Sequence, residues 1–148
     1  FTGVPLEQNP LGKVLISGLD LDDEGRVWIA NFGGRPNRPS FHSLDASGQW
    51  QSYNIPQSVA RFPLQILVDN VGQKWARISP SNGGGVLVFR DAGSFRYLIE
   101  GVGRGDLPSN EVYSMVEDLN GSIWLGTAKG VVEFFLPGEV ISGNLDGI

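Results

Sequence analysis

Asp118-Leu119-Asn120-Gly121-Ser122-Ile123-Trp124 is the stretch on which this chain is read. The same frame, Asp-x-x-Gly-x-x-Trp, recurs as Asp69-Asn70-Val71-Gly72-Gln73-Lys74-Trp75 and as Asp22-Asp23-Glu24-Gly25-Arg26-Val27-Trp28. The three tryptophans stand 47 and 49 residues apart. One such heptad arises by chance; three at near-constant spacing are an internal repeat.

The heptad has a physical reading. Gly supplies the positive φ that a tight reversal needs. The Asp carboxylate accepts a backbone N–H two residues on, an Asx turn. The following Trp opens the next strand and offers a large flat surface to a neighbouring layer. Asp22, Gly25, Trp28, Asp69, Gly72, Trp75, Asp118, Gly121 and Trp124 are therefore assigned to structure, not chemistry.

A period just under about 50 residues suits four-stranded β-propeller blades, not helical solenoids. No long window carries apolar residues at i, i+3 and i+4. Each repeat divides instead into short β-prone runs: 14–22, 26–31, 40–45 and 49–55; 63–69, 73–78, 85–90 and 94–100; 111–118, 122–127, 131–136 and, as a poor fourth, 139–143. The expected fold is all-β: a propeller fragment of about three four-stranded antiparallel blades at 11–56, 62–101 and 108–143, with 1–10 as the outer strand of a preceding blade. Three blades do not close a ring, since propellers have about four to eight. The partners expected are the remaining blades of a longer chain. Isolated, the arc exposes blade edges through which copies of the chain associate.

Composition supports this and excludes much else. The chain has 148 residues, 21 Gly, 9 Pro and 15 aromatic side chains (8 Phe, 4 Trp, 3 Tyr), the profile of short strands and tight turns. With no Cys and one His, His42, thiolate chemistry, Cys-type zinc sites, iron–sulfur clusters and multi-histidine metal sites within one chain are excluded, and no metal or cofactor is expected. The net charge of −5 argues against nucleic acid. No apolar run approaches the roughly 18–20 residues of a membrane span. The chain starts at Phe1, not Met, so it is expected to be a processed or partial chain.

Val112 to Val131, with Leu107-Pro108-Ser109-Asn110 before it, resembles the two-component regulator propeller repeat. The family pattern runs V-x-x-I-x-x-D-x-x-G-x-I-W-I-G-T-x-x-G-L, and this segment fills nearly all of it. The other two copies keep Asp, Gly and Trp but carry Ala30-Asn31 and Arg77-Ile78 in place of the Gly-Thr step. The resemblance implies a non-enzymatic recognition module in the periplasm or at the cell surface of a Gram-negative bacterium of Bacteroidetes type. Two settings use such repeats: the periplasmic sensor region of hybrid two-component systems, and a surface propeller of type IX secretion that handles anionic lipopolysaccharide. Gly83 to Phe89 and Gly103 to Asn110 lean toward the second. The alternative is a propeller-type carbohydrate-active enzyme, a lyase or glycosidase, but no spacing among the 16 acids singles out a catalytic pair.

Propeller topology sorts the loops. The Asp-x-x-Gly turns share one end, the bottom. The long connections at 32–39, 78–84 and 101–110 share the other, the top, where functional loops belong. Arg35, Arg38, Arg61, Arg77, Arg104 and Lys129 fall at or near the top; Asp22, Asp23, Glu24, Asp45, Asp69, Asp91 and Asp118 fall at the bottom. The top is thus a candidate surface for an acidic glycan or another envelope protein, with Arg35, Arg38, Arg77, Arg104 and Lys129 as the ligand-binding residues. Weaker motifs are absorbed by the fold. Asp20 to Gly25 opens like a calcium loop, but its twelfth position is Asn31, not Glu. Gly101 to Gly105 precedes no helix, Arg104-Gly105-Asp106 and Asn120-Gly121-Ser122 are short enough to occur by chance, and His42 sits in an alternating strand.

Overall fold

A computed structural model of the chain describes residues 4–143 and 145–148. The first blade is β1 (Leu15–Leu21), β2 (Val27–Phe32), β3 (Phe41–Leu44) and β4 (Trp50–Tyr53). The second is β5 (Pro63–Val68), β6 (Lys74–Ile78), β7 (Val86–Asp91) and β8 (Ser94–Leu98). The third is β9 (Val112–Glu117), β10 (Ile123–Thr127) and β11 (Gly130–Phe134), followed by a single helical turn, α1 (Glu139–Ser142). Within each sheet the strands pair antiparallel in chain order. The fold is all-β, an arc of propeller blades.

The inner strands set the arc. β1 lies against β5, and β6 against β9. At Gly18 the two inner strands of the first seam approach so closely that a Cβ would stand 2.7 Å from the Ile66 nitrogen, so only Gly fits. Val68 N–H donates to Asp20 Oδ2 at 2.7 Å across that seam. Each inner strand carries a register shift near the top, at Ile16/Gly18, at Pro63/Gln65 and opposite Gly126/Thr127.

The core lies in the seams, not within one blade. In the first, Trp28, Ala30 and Phe41 meet Ile66, Ala76, Leu87 and Phe89. In the second, Trp75, Val86, Val88 and Leu98 meet Val112, Ile123, Leu125, Val132 and Phe134. Strand alternation explains the division: Trp75 faces the third blade while its neighbours Lys74 and Ala76 face the first. By the same alternation Ile123 and Leu125 enter the second seam, and Trp124 turns to the open side. Trp28 and Trp75 are buried, Trp124 only half so, and Val116 and Val131 beside it are exposed. The opposite end of the arc exposes Leu19 and Leu21.

Two expectations are corrected. Residues 139–143 form no strand: Pro137-Gly138 interrupts the chain, Glu139–Ser142 coil into α1, and Val140 is fully buried against the second seam. Burying that valine, about 1.5–3 kcal/mol, outweighs the β preference of Val140-Ile141. Among the described residues the third blade is therefore three-stranded, and beside β11 Ile148 exchanges both backbone hydrogen bonds with Glu133 (2.9 and 3.0 Å). Residues 4–10 are likewise not a strand. They run as coil over the first blade, with Glu7 N–H on Asn31 Oδ1 at 2.7 Å and Asn31 Nδ2 on the Glu7 carbonyl at 3.1 Å. The rest of the expected outer strand, 1–3, lies outside the described residues.

Candidate functional site

The three repeated turns at the bottom are built alike. In the second blade Asp69 Oδ1 accepts Val71 N–H (3.1 Å) and Gln73 N–H (2.8 Å), while Oδ2 accepts Gln73 Nε2 (3.0 Å) and the Trp75 indole N–H (2.8 Å). Asp22 holds Glu24 and Arg26 N–H, the Arg26 guanidinium and the Trp28 indole (2.8 Å). Asp118 holds Asn120 and Ser122 N–H and the Trp124 indole (2.9 Å). One carboxylate thus closes the turn and orients the blade's tryptophan. At Asp22 burial alone would raise the pKa, but the Trp28 and Arg26 hydrogen bonds win and hold it near about 2. The Trp124 indole lowers that of Asp118. Asp45 closes the β3–β4 turn in the same way, through Ser47 and Gln49 N–H.

Sequence reasoning anticipated the Asx turn but not the indole bond or Lys74. Lys74 precedes Trp75 and so faces the first seam, where it is buried. Its ammonium lies 4.3 Å from the Trp28 ring centroid and donates to the Gly72 carbonyl (3.0 Å) and the Arg90 carbonyl (2.7 Å). Burial and the Arg26 charge bring its pKa down to about 8. Two carbonyls and a π face leave it no proton to offer a substrate, so it is a seam residue. His42 is also buried, with Nδ1 3.0 Å from Ser52 Oγ, and burial pushes its pKa down to about 4.

The top-face basic residues do not form one cluster. Arg35 pairs with Glu7 at 3.2 Å. Arg77 Nη1 bridges the second seam to the Val112 carbonyl at 3.2 Å, with Nε 3.4 Å from Gln65 Oε1. Burial lowers its pKa. Arg104 is exposed on the 101–105 loop, and Lys129 is 3.4 Å from Glu100. Arg38 and Arg61 do come together, in a groove of about 490 Å³ between the β2–β3 loop and the β4–β5 connection. Arg61 Nε donates to the Gly34 carbonyl at 2.8 Å, and its guanidinium carbon lies 5.0 Å from the Phe62 ring centroid. Asn37, Asn54, Gln57, Asn82 and the hydroxyls of Ser40 and Ser58 complete the polar lining. Asn54 Nδ2 donates to the Asn37 carbonyl at 3.3 Å, and Asn37 adopts a left-handed φ of 59°.

Of the carboxylates that resembled a calcium loop, Asp20 accepts the Leu21 and Val68 N–H, Asp22 closes its turn, and Glu24 pairs with Arg26. Among the described residues no group of three or more His, Asp or Glu is placed to hold a metal ion. Among the described residues no helix is long and apolar enough to cross a membrane.

Seam-packed antiparallel blades, pinned by a repeated turn and carrying their long loops at one end, define a β-propeller arc. The two component regulator propeller model matches residues 106–129, the strongest of the three copies. Among solved structures, PorZ, a surface component of the type IX secretion system of Porphyromonas gingivalis, aligns over 100% of this chain and 22% of its own (TM-score 0.75, 21% identity). An extracellular domain assigned to a hybrid two component system of B. thetaiotaomicron aligns over 83% of this chain and 16% of its own (TM-score 0.53, 26% identity). Virginiamycin B lyase of Staphylococcus aureus aligns over 82% of this chain and 38% of its own (TM-score 0.57, 16% identity). No curated protein matches the chain by sequence. The chain thus has a β-propeller-type fold, resembles the two component regulator propeller over residues 106–129, and spans about a fifth of the PorZ structure it is similar to.

Proposed function

We propose that this chain is a stretch of a non-enzymatic recognition propeller of the bacterial envelope, and that its top groove takes an acidic glycan. The observation that carries the reading is the groove's lining: Arg38 and Arg61 are its titratable side chains, set among amides and Phe62, with no carboxylate or imidazole. Arginine forks read carboxylate or sulfate, and amides read hydroxyls. A glycan lyase or glycosidase needs an acid/base pair that this lining lacks. The virginiamycin B lyase likeness supports the fold alone. Likeness to a surface component and to an extracellular domain supports a periplasmic or cell-surface location, in type IX secretion or as part of a sensor.

The test is charge reversal with a defined probe. Oligogalacturonate binding, measured by calorimetry at two salt concentrations, is expected to fall at least about tenfold in Arg38→Glu/Arg61→Glu. Reversing Arg35, Arg104 and Lys129 together, outside the groove, is expected to cost less. Equal losses in the two variants, or undiminished binding in the first, would overturn the assignment of the groove.

A further inference from the structure

Arg61 and Asn110 stand at the same place in successive blades. Pro63 pairs with Ile78 and Val112 with Thr127, each partner three residues past its blade's tryptophan, and 61 and 110 lie two residues before Pro63 and Val112. In both seams a glycine amide of the preceding blade donates to the carbonyl at this place, Gly33 to Arg61 at 2.6 Å and Gly85 to Asn110 at 2.7 Å. The side chains are used differently. Asn110 Oδ1 accepts Glu100 N–H at 2.8 Å, and a Cβ at Gly84 would overlap the Asn110 carbonyl, so the second seam is closed there. Arg61 lines the groove instead.

The Arg61 guanidinium is held before any ligand arrives. Nε donates to the Gly34 carbonyl at 2.8 Å, and Phe62 backs the guanidinium carbon at 5.0 Å from its ring centroid. Phe62 is set edge-on against Phe32, with centroids 5.8 Å apart, and packs on the first-seam core. Gly34 is supported from behind. A Cβ there would stand 3.0 Å from Glu7 Cβ, and Glu7 is bonded through its N–H and carbonyl to the amide of the buried Asn31. With Nε taken, Nη1 and Nη2 remain, and among the described residues neither has a protein partner. Arg38 is exposed, and its side chain is bonded to nothing among the described residues. An arginine ordered in advance loses little rotamer freedom on binding, whereas an exposed one loses it then.

We infer that Arg61 is the preset anchor of the groove and takes the carboxylate of a uronic acid unit end-on, through Nη1 and Nη2, while Arg38 closes on a neighbouring charge of the same oligosaccharide. This rests on the reading of the groove as a glycan site. Two coplanar N–H donors match the two coplanar oxygens of a carboxylate. A sulfate ester brings a third oxygen for which this end of the fork has no donor. Asparagine at 110 keeps the same glycine bond through its main chain, so the fold does not itself demand arginine at 61.

The test compares like changes at the two arginines, with oligogalacturonate as the probe and calorimetry as the readout. Lysine keeps the charge and removes the fork. Arg61→Lys is expected to weaken binding at least about tenfold, and at least about fivefold more than Arg38→Lys does. Arg61→Asn is expected to lose at least as much, while exchange of the Gly33 amide stays within about threefold of that in the unchanged chain. A sulfated galactan oligomer of the same charge is expected to bind the unchanged chain at least about threefold more weakly than oligogalacturonate. Equal losses at the two arginines, equal or tighter binding of the sulfated oligomer, or faster Gly33 exchange in Arg61→Asn would each overturn the role of Arg61 and leave the groove a glycan site. Binding of neither oligomer by the unchanged chain would overturn both.

Discussion

Asp69→Asn and Asp118→Asn remove the same carboxylate from two copies of one turn, and the structure assigns them different costs. At Asp69 four donors converge, and Trp75, whose indole is one of them, is fully buried. Asparagine keeps one acceptor oxygen for the two backbone amides. It places an NH₂ group against Gln73 Nε2 and the indole N–H, so two charge-assisted bonds go and a buried donor is left without an acceptor. Hydrogen bonds to charged groups contribute about 1.5–3 kcal/mol each, and Gln73 Nε2 retains the Pro137 carbonyl at 2.7 Å, so the expected loss is about 3 kcal/mol. At Asp118 the second oxygen serves the Trp124 indole, and that ring is half-buried on the open face, where water replaces the lost partner. The expected loss there is about 1 kcal/mol. Urea unfolding followed by circular dichroism, with ΔG taken from midpoints at constant m, resolves a difference of about 2 kcal/mol. Losses equal within about 0.5 kcal/mol, or a loss below about 1 kcal/mol for Asp69→Asn, would refute burial of the Trp75 indole as the source of the difference.

Further expectations follow from the seams and turns. The lowered pKa of Asp22 makes its contribution to stability fully present above about pH 4 and lost as pH falls toward about 2; the shift corresponds to about 2 kcal/mol, so Asp22→Asn should flatten the acid limb of a stability-against-pH curve. Trp75→Ala should cost about 3–5 kcal/mol, as a buried aromatic does, and Trp124→Ala clearly less, read from denaturant midpoints. Lys74→Met keeps the stem but leaves the Gly72 and Arg90 carbonyls without their donor; thermal unfolding should report a loss of about 1–2 kcal/mol, and an unchanged Tm would show the buried ammonium to be dispensable.

The sequence was most readable where a local pattern repeats. Asp, Gly and Trp at fixed spacing are turn and strand chemistry that a short segment encodes by itself, and they place the first two strands of each blade. What escaped depends on partners distant in the chain. Val140 and Ile141 are β-formers locally; their helical turn is decided by the second seam, built of residues more than about forty positions earlier as well as of β9–β11. Lys74 gave no signal because its partners, Trp28 and the Arg90 carbonyl, belong to another blade and another strand. Topology put the basic residues near the top, but it does not say which of them are spent: Arg35 on Glu7, Arg77 on the Val112 carbonyl, Lys129 on Glu100. Arg38 and Arg61 line one groove because the β2–β3 loop folds onto the β4–β5 connection, held by Gly33 N–H on the Arg61 carbonyl at 2.6 Å.

Backbone amide shifts of the labelled chain, titrated with oligogalacturonate, test recognition at the top most directly. Perturbations should concentrate at residues 36–40, 54–62 and Asn82, the walls of the groove. Shifts centred on the bottom turns at Asp22, Asp69 and Asp118, or none at saturating oligosaccharide, would contradict it.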